Sequence, residues 1–242
     1  MAILEEQSFS GECQDNDIFT NAFGSLGSRL ARGAVWLLAG NVVSRLLSLV
    51  ASIVTARILG QTSFGEFGII TATIALFGVV SESGMGMTNS RYVSSLRNTN
   101  PDRVGGVVLF SLVIVSFIGS VIFIITYMLT PYLASTTLNA PVLIPYLRLA
   151  ALAVISGSLE GAILGALSGF EDFRPIARVN VIQGVLSLPI SVIGVMYFGL
   201  AGAVGAFVIN SYIRLTLLGL TLSHRLYCNK VALNWRLAWQ ER

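Results

Sequence analysis

Long apolar runs separated by short polar segments dominate the chain. A helix needs about 20 mostly apolar residues to cross a bilayer, and six stretches of this kind are present. They run approximately over residues 34–59, 64–83, 104–129, 147–169, 176–198 and 200–220. The third stretch contains no charged residue. The pattern predicts an all-α, polytopic membrane protein with six transmembrane helices, embedded in a lipid bilayer.

The composition favours the same class of protein. Hydrophobic residues make up 54% of the 242 positions and charged residues only 11%, against about 25% charged residues in soluble domains. A soluble domain of this size could not bury so much apolar surface. The chain has two cysteines and a single histidine, His224, and no phosphate-binding loop or zinc-protease motif. We therefore expect no metal, no cofactor, no nucleic-acid partner and no enzymatic activity.

Charge divides the chain into three regions. Residues 1–28 contain five acids and no lysine or arginine, so we expect a polar, disordered cytoplasmic tail. Residues 29–224 form the six-helix bundle, and residues 225–242 form a second cytoplasmic tail or a truncated linker. Eleven basic residues flank the spans on one side, whereas the other side has only Arg57 and Arg148. Cytoplasmic loops carry the excess of lysine and arginine, so both termini are expected in the cytoplasm.

Polar residues recur along one face of three predicted helices. They are Asn41, Arg45, Ser48, Ser52 and Thr55 on the first helix, Asn180, Gln183, Ser187 and Ser191 on the fifth, and Asn210 and Arg214 on the sixth. Charges at membrane depth normally face a partner or a water-filled cavity. Two interpretations follow. The residues line a cavity, or they hold the helices together, with Arg45 or Arg214 paired with Glu160 on the fourth helix.

Glycine and proline predict local geometry in the fourth and fifth helices. Glycines at intervals of four residues permit close approach of a neighbouring helix. They are Gly157, Gly161, Gly165 and Gly169. Pro189 lies inside the fifth apolar stretch. Because proline removes one backbone donor, a kink is expected there.

Two blocks of sequence carry a family pattern. The first is GAVWLLAGNVVSRLLSLVASIVTARILGQTSFGEFGII, followed by ESGMGMTNSRYVSSLR, and the second is GALSGFEDFRPIARVN with GLAGAVGA. Both resemble the polysaccharide repeat-unit flippases of the multidrug/oligosaccharidyl-lipid/polysaccharide exporter superfamily. The resemblance covers about residues 30–220.

The resemblance implies a carrier of the bacterial inner membrane that flips a polyprenyl-diphosphate-linked oligosaccharide for surface polysaccharide biosynthesis. Family members alternate access between two halves around a cationic cavity. Arg45 and Arg214 would attract the diphosphate, and Glu82 or Glu160 would carry a coupling proton. Other polar side chains would contact the sugars, namely Asn41, Ser48, Ser52, Asn180, Gln183 and Asn210.

Members of the family have roughly twice as many helices, so the chain resembles an amino-terminal half. Either the chain is a fragment, or it assembles with another half or with a second copy of itself. Two copies could pack as parallel repeats, related by an axis along the membrane normal. The lipid II flippases have an Arg-Asp pair where this chain has Ala51 and Ser52, which argues against a peptidoglycan precursor. Two other functions stay open. One is half of a MATE-like drug or cation antiporter, and the other is a non-transporting scaffold for polysaccharide polymerase and assembly proteins.

Overall fold

Every element of regular secondary structure in the described residues is a helix. The computed structural model describes residues 2–82, 85–99, 101–137, 140–170 and 173–228. The long helices are α1 (Ala2–Glu82), α2 (Met85–Thr99), α3 (Pro101–Tyr132), α4 (Ile144–Gly169) and α5 (Phe173–Cys228). A π-helical turn, Leu133–Thr137, and a 3-10 turn, Pro141–Leu143, lie between α3 and α4. The predicted all-α fold is confirmed.

Two of these helices are broken at a glycine. Gly60 in α1 has φ 75° and ψ 173°, and Gly199 in α5 has φ 55° and ψ −129°. A positive φ is open to glycine but costly for residues with a side chain. We call the segments before and after each break the first and second arms. The breaks lie between the first and second and between the fifth and sixth predicted spans.

The two arms of α5 pack side by side in opposite directions. The backbone of Gly202 lies directly against the backbone of Gly194, on either side of the break. Further along the arms, Gln183 Nε2 donates a hydrogen bond to the backbone oxygen of Asn210 at 3.0 Å. The break at Gly199 therefore reverses the direction of the chain.

The first arm of α1 runs parallel to the first arm of α5. A Cβ placed on Gly40 would lie 3.0 Å from the Cβ of Ala177, and one placed on Gly184 would lie 3.1 Å from the Cα of Ser44. At both contacts, a Cβ on the glycine would require the neighbouring helix to shift by a few tenths of an ångström. Residue numbers rise together along this contact, so the two helices point the same way.

Helix α4 packs against α2 through glycine. The backbone of Gly165 contacts that of Gly86, and the carbonyl oxygen of Gly161 lies 3.0 Å from the position of a Cβ on Gly86. One turn later, a Cβ on Gly169 would lie 2.7 Å from the Cβ of Val93. Gly157, which lies one turn before Gly161, is half-buried. The glycine spacing of α4 thus coincides with a close helix–helix approach.

Two hydrophobic clusters fill the bundle, and α4 contributes to both. One includes Val93, Leu167 and Leu218, and the other includes Ile70 and Leu147. Because these clusters are built from residues at opposite ends of α4, that helix forms the centre of the bundle. Side chains placed on α4 are therefore held in position by packing on several sides.

Apolar side chains cover the outside of the bundle. Leu76, Phe117, Met128 and Phe198 are each at least 70% exposed. Four described helical stretches are long and apolar enough to cross a membrane, namely Gly40–Ser95, Gly105–Thr136, Pro141–Gly169 and Pro175–His224. Exposed apolar surface of this extent is stable only in lipid or against another protein. The chain is a multi-pass membrane protein, while the number of six crossings stays a prediction.

Two local features bear on the expectations for α5 and for the amino-terminal tail. Helix α5 continues through Pro189, where the kink stays a prediction, and it has a non-helical residue at Gly199, because glycine can adopt a positive φ. Helix α1 begins at Ala2, so the backbone of residues 2–28 is helical where a disordered tail is expected. Good helix formers near its start, in the segment LEEQ, favour that conformation. Beyond Cys228, the predicted carboxyl-terminal segment lies outside the described residues.

Candidate functional site

A cavity of about 710 Å³ lies between α1, α4 and both arms of α5. Its volume is within the range of about 300–1,000 Å³ that is typical of ligand sites. Its polar lining consists of Asn41, Ser44, Arg45, Ser48, Ser52, Thr55, Glu160, Asn180, Gln183, Ser187, Ser191, Asn210, Ser211 and Arg214. The structure therefore brings together all eight residues that were predicted to bind substrate. Glu160, one of the two candidates for the coupling acid, lines the same cavity.

Helical periodicity and helix direction explain how these residues meet. On each arm the polar positions recur every three or four residues, which keeps them on one face. The first arms of α1 and α5 are parallel and closely packed, because Gly40 and Gly184 leave room for the facing helix. The two polar faces consequently run alongside one another, and the second arm of α5 adds a third.

Amide side chains in the lining link the helices to one another. Asn180 Nδ2 donates to Asn41 Oδ1 at 2.7 Å, and Asn180 is buried. Gln183 Nε2 donates to the backbone oxygen of Asn210 at 3.0 Å and lies 3.3 Å from its Oδ1. Within the described part of the chain, the buried Oε1 of Gln183 has no hydrogen-bond partner. These four amides hold α1 and the two arms of α5 together, as the packing interpretation expects.

The charged residues of the cavity lie in two different environments. Arg214 Nε lies 3.5 Å from Glu160 Oε2, and the two side chains are 38% and 10% exposed. Arg45 is exposed in the same cavity. Among the side chains that the structure describes, no carboxylate forms a salt bridge with Arg45. Of the two arginines considered as partners of Glu160, it is Arg214 that forms the pair.

Serine side chains along the cavity bond to their own helices. Ser48 Oγ donates to the backbone oxygen of Ser44 at 2.9 Å, and Ser187 Oγ donates to that of Gly184 at 2.9 Å. A hydroxyl that donates one hydrogen bond keeps lone pairs that can accept others. These serines can therefore accept hydrogen bonds from ligand hydroxyls.

Some lining residues were not predicted from the sequence. Ser44 lies three residues after Asn41 and four before Ser48, and Ser211 lies three before Arg214, so the helical spacing could have identified both. Phe67 and Phe207 also line the cavity, and no polar pattern marks them. Their positions follow from the packing of the arms, which the hydrophobic pattern alone does not specify.

Glu82, the second candidate for the coupling acid, ends α1, and its side chain lies outside the described residues. In the described ranges, no three His, Cys, Asp or Glu side chains come together as metal ligands. The cavity offers cations, amides and hydroxyls, which is a set suited to reversible binding of an anionic, hydroxyl-rich ligand.

The fold is similar to about half of the MATE transporters. An outward-facing multidrug resistance MATE family transporter of the MOP superfamily superposes with a TM-score of 0.69 at 19% identity, covering 88% of this chain and 48% of that one. A MATE protein in complex with Br-NRF gives 0.66 at 17% identity, with 88% and 51% covered. The Vibrio cholerae MATE transporter VcmN in its bent form gives 0.60 at 16% identity, with 86% and 49% covered.

The sequence identifies the family within that fold. Residues 30–239 match the polysaccharide biosynthesis protein family, and the chain belongs to it. No curated protein matches the sequence. The chain spans about half the length of the MATE structures it resembles. The predicted membership of a polysaccharide biosynthesis family is confirmed, and the partial coverage of the MATE structures fits the predicted half.

Proposed function

We propose that this chain is half of a carrier that exports a polyprenyl-diphosphate-linked oligosaccharide by alternating access. The observation that carries this proposal is a cavity that is lined by the polar faces of three helical arms, including two arginines, and by one glutamate of α4. Membership of the polysaccharide biosynthesis family supports the substrate class. The MATE-like fold supports transport without covalent chemistry.

The chemistry of the cavity suits each part of such a substrate. Guanidinium groups bind phosphate oxygens in pairs of parallel hydrogen bonds, so Arg45 and Arg214 would hold the diphosphate. Serine hydroxyls would replace water around the sugars. The polyprenyl chain would remain in the bilayer, against the apolar exterior of the bundle. The sugars would then stay in the polar cavity while the polyprenyl chain stays in contact with lipid.

The distribution of basic residues supports an orientation. Arg91 on α2 and Arg178 at the start of α5 are exposed at one end of the bundle. At the other end of α4, the guanidinium of Arg148 lies 4.9 Å from the ring centre of Tyr127, where a cation–π contact holds it. The positive-inside rule favours the first end as cytoplasmic, which would place both termini on that side of a bacterial inner membrane.

A drug or cation antiporter is the second candidate, because the solved structures of this fold are MATE transporters. A cavity for a cationic drug requires an excess of acid. The described lining has two arginines for one glutamate, so the charge favours an anionic substrate. A scaffold without transport activity would need no cavity of this kind.

The decisive experiment replaces both cavity cations in cells that depend on this gene for a surface polysaccharide. The Arg45→Ala/Arg214→Ala variant should abolish polymer at the surface and leave lipid-linked oligosaccharide in the inner leaflet. Arg91→Ala/Arg178→Ala removes two exposed arginines outside the cavity and is the matched control. Normal export by a membrane-inserted cavity variant would refute the proposal, and a change in drug resistance alone would support the antiporter.

A further inference from the structure

We propose that Glu160 sets the anion affinity of the cavity by competing with the ligand for Arg214. In the empty cavity, Arg45 is the available cation and Arg214 is occupied by Glu160. An anionic ligand binds Arg45 first and gains Arg214 only by displacing the carboxylate. This inference rests on the proposed function, because it concerns the same cavity and the same class of ligand.

The contact between Glu160 and Arg214 is loose enough to be displaced. The distance of 3.5 Å between Arg214 Nε and Glu160 Oε2 is longer than the roughly 2.7–2.9 Å of a good charge-assisted hydrogen bond. Arg214 Nε has no hydrogen-bond partner among the described residues. The arginine side chain as a whole is 38% exposed and lines the cavity, so a ligand in the cavity can reach it. A phosphate group that offers two oxygens can therefore replace the carboxylate.

The position of Glu160 keeps it close after displacement. It lies on α4, the central helix of the bundle, and its side chain is only 10% exposed. Packing prevents the carboxylate from moving far from the cavity. A bound anion on Arg214 would consequently have a negative charge beside it, which raises the free energy of the bound state.

This arrangement gives a carrier a way to release its substrate. A cavity with two unopposed arginines would bind a diphosphate tightly and release it slowly, because affinity differences reside mainly in the dissociation rate. Glu160 returns to Arg214 when the anion leaves, so the empty state is stabilised. Glu160 is in this sense a positioning residue that acts through Arg214, without contact with the ligand.

The test uses the full chain in detergent with farnesyl diphosphate as the probe, measured by calorimetry. Glu160→Gln should bind the probe about three- to fivefold more tightly than the unmodified protein, the effect of losing a partly exposed charge pair. Glu66→Gln, which removes a carboxylate that does not line the cavity, should leave affinity unchanged. Glu160→Ala should shift affinity in the same direction as Glu160→Gln.

Repeating the Glu160→Gln substitution in an Arg214→Ala protein separates competition for Arg214 from a general effect of the negative charge on anion binding. In an Arg214→Ala protein, Glu160→Gln should change affinity less than about twofold, because the competing cation is gone. An equal gain in both backgrounds, or no gain in the unmodified background, would overturn this inference and leave the proposed function standing. If the unmodified protein failed to bind farnesyl diphosphate, the proposed function would fail and the inference with it.

Discussion

Arg45 and Arg214 line one cavity but have different electrostatic partners. Arg214 lies beside Glu160, whereas Arg45 is exposed and forms no salt bridge with a described carboxylate. An arginine that does not have to leave a partner gives more of its interaction energy to a ligand. At the scale of single residues, we therefore expect Arg45 to be the stronger anion-binding group.

Single alanine variants should reveal this difference. Arg45→Ala should weaken farnesyl diphosphate binding by about tenfold or more, the loss of one charge-assisted contact. Arg214→Ala should weaken it less, because part of the binding energy at Arg214 is spent on displacing Glu160. Calorimetry on the two variants measures how much affinity for farnesyl diphosphate each one loses. Arg178→Ala is the control outside the cavity. Equal losses for both arginines would contradict the difference.

The hydrogen bond between Asn180 and Asn41 should contribute to stability. Asn180→Ala removes a buried donor and leaves Asn41 Oδ1 without its partner, so we expect a loss of about 1–2 kcal/mol in the free energy of unfolding. The Asn41→Ala/Asn180→Ala variant should lose less than the sum of the two single changes. Unfolding in mixed micelles measures these values. Additive losses would show that the two amides act independently.

The sequence predicts which face of a helix is polar, because that follows from spacing alone. It predicts the residues around Asn41, Arg45 and Gln183 on that basis, and all of them line the cavity. It does not predict that Glu160 pairs with Arg214 rather than Arg45. That choice depends on how α4 packs against the second arm of α5, which no local pattern specifies.

At the scale of helices, glycine determines both the breaks and the closest contacts. Gly60 and Gly199 permit the backbone angles at which α1 and α5 change direction. The spacing of glycines in α4 indicated a close approach without identifying the partner helix, which is α2. Helix α5 continues through Pro189, because a lone proline can be accommodated inside a helix in a membrane protein, and the kink there stays a prediction.

A side chain at Gly165 should separate α2 from α4. The Cβ of Gly165→Ala would overlap the backbone of Gly86, which cannot rotate away as a side chain could. We expect a loss of about 1–3 kcal/mol in the free energy of unfolding. Gly205→Ala is the control, because nothing lies within 4 Å of its added Cβ. Unfolding in mixed micelles compares the two, and equal stability would contradict the packing described here.

At the scale of the molecule, the chain is similar in fold to about half of a MATE transporter. Alternating access requires two bodies that move relative to one another. We therefore expect the active unit to contain two six-helix halves, in one polypeptide or in two. Native mass spectrometry of the protein from its own membrane should give about twice the mass of this chain. A single half that transports by itself would contradict alternating access.

The most direct test of the account is transport in vesicles. The protein, isolated from its native membrane with any associated half, is reconstituted with a fluorescent polyprenyl-diphosphate oligosaccharide, and a membrane-impermeant quencher reports the leaflet that the lipid occupies. We predict movement between leaflets by the unmodified protein and by Arg178→Ala. The Arg45→Ala/Arg214→Ala variant should show none. Equal transport by the cavity variant, or none by an intact and correctly assembled protein, would contradict the cationic-cavity mechanism.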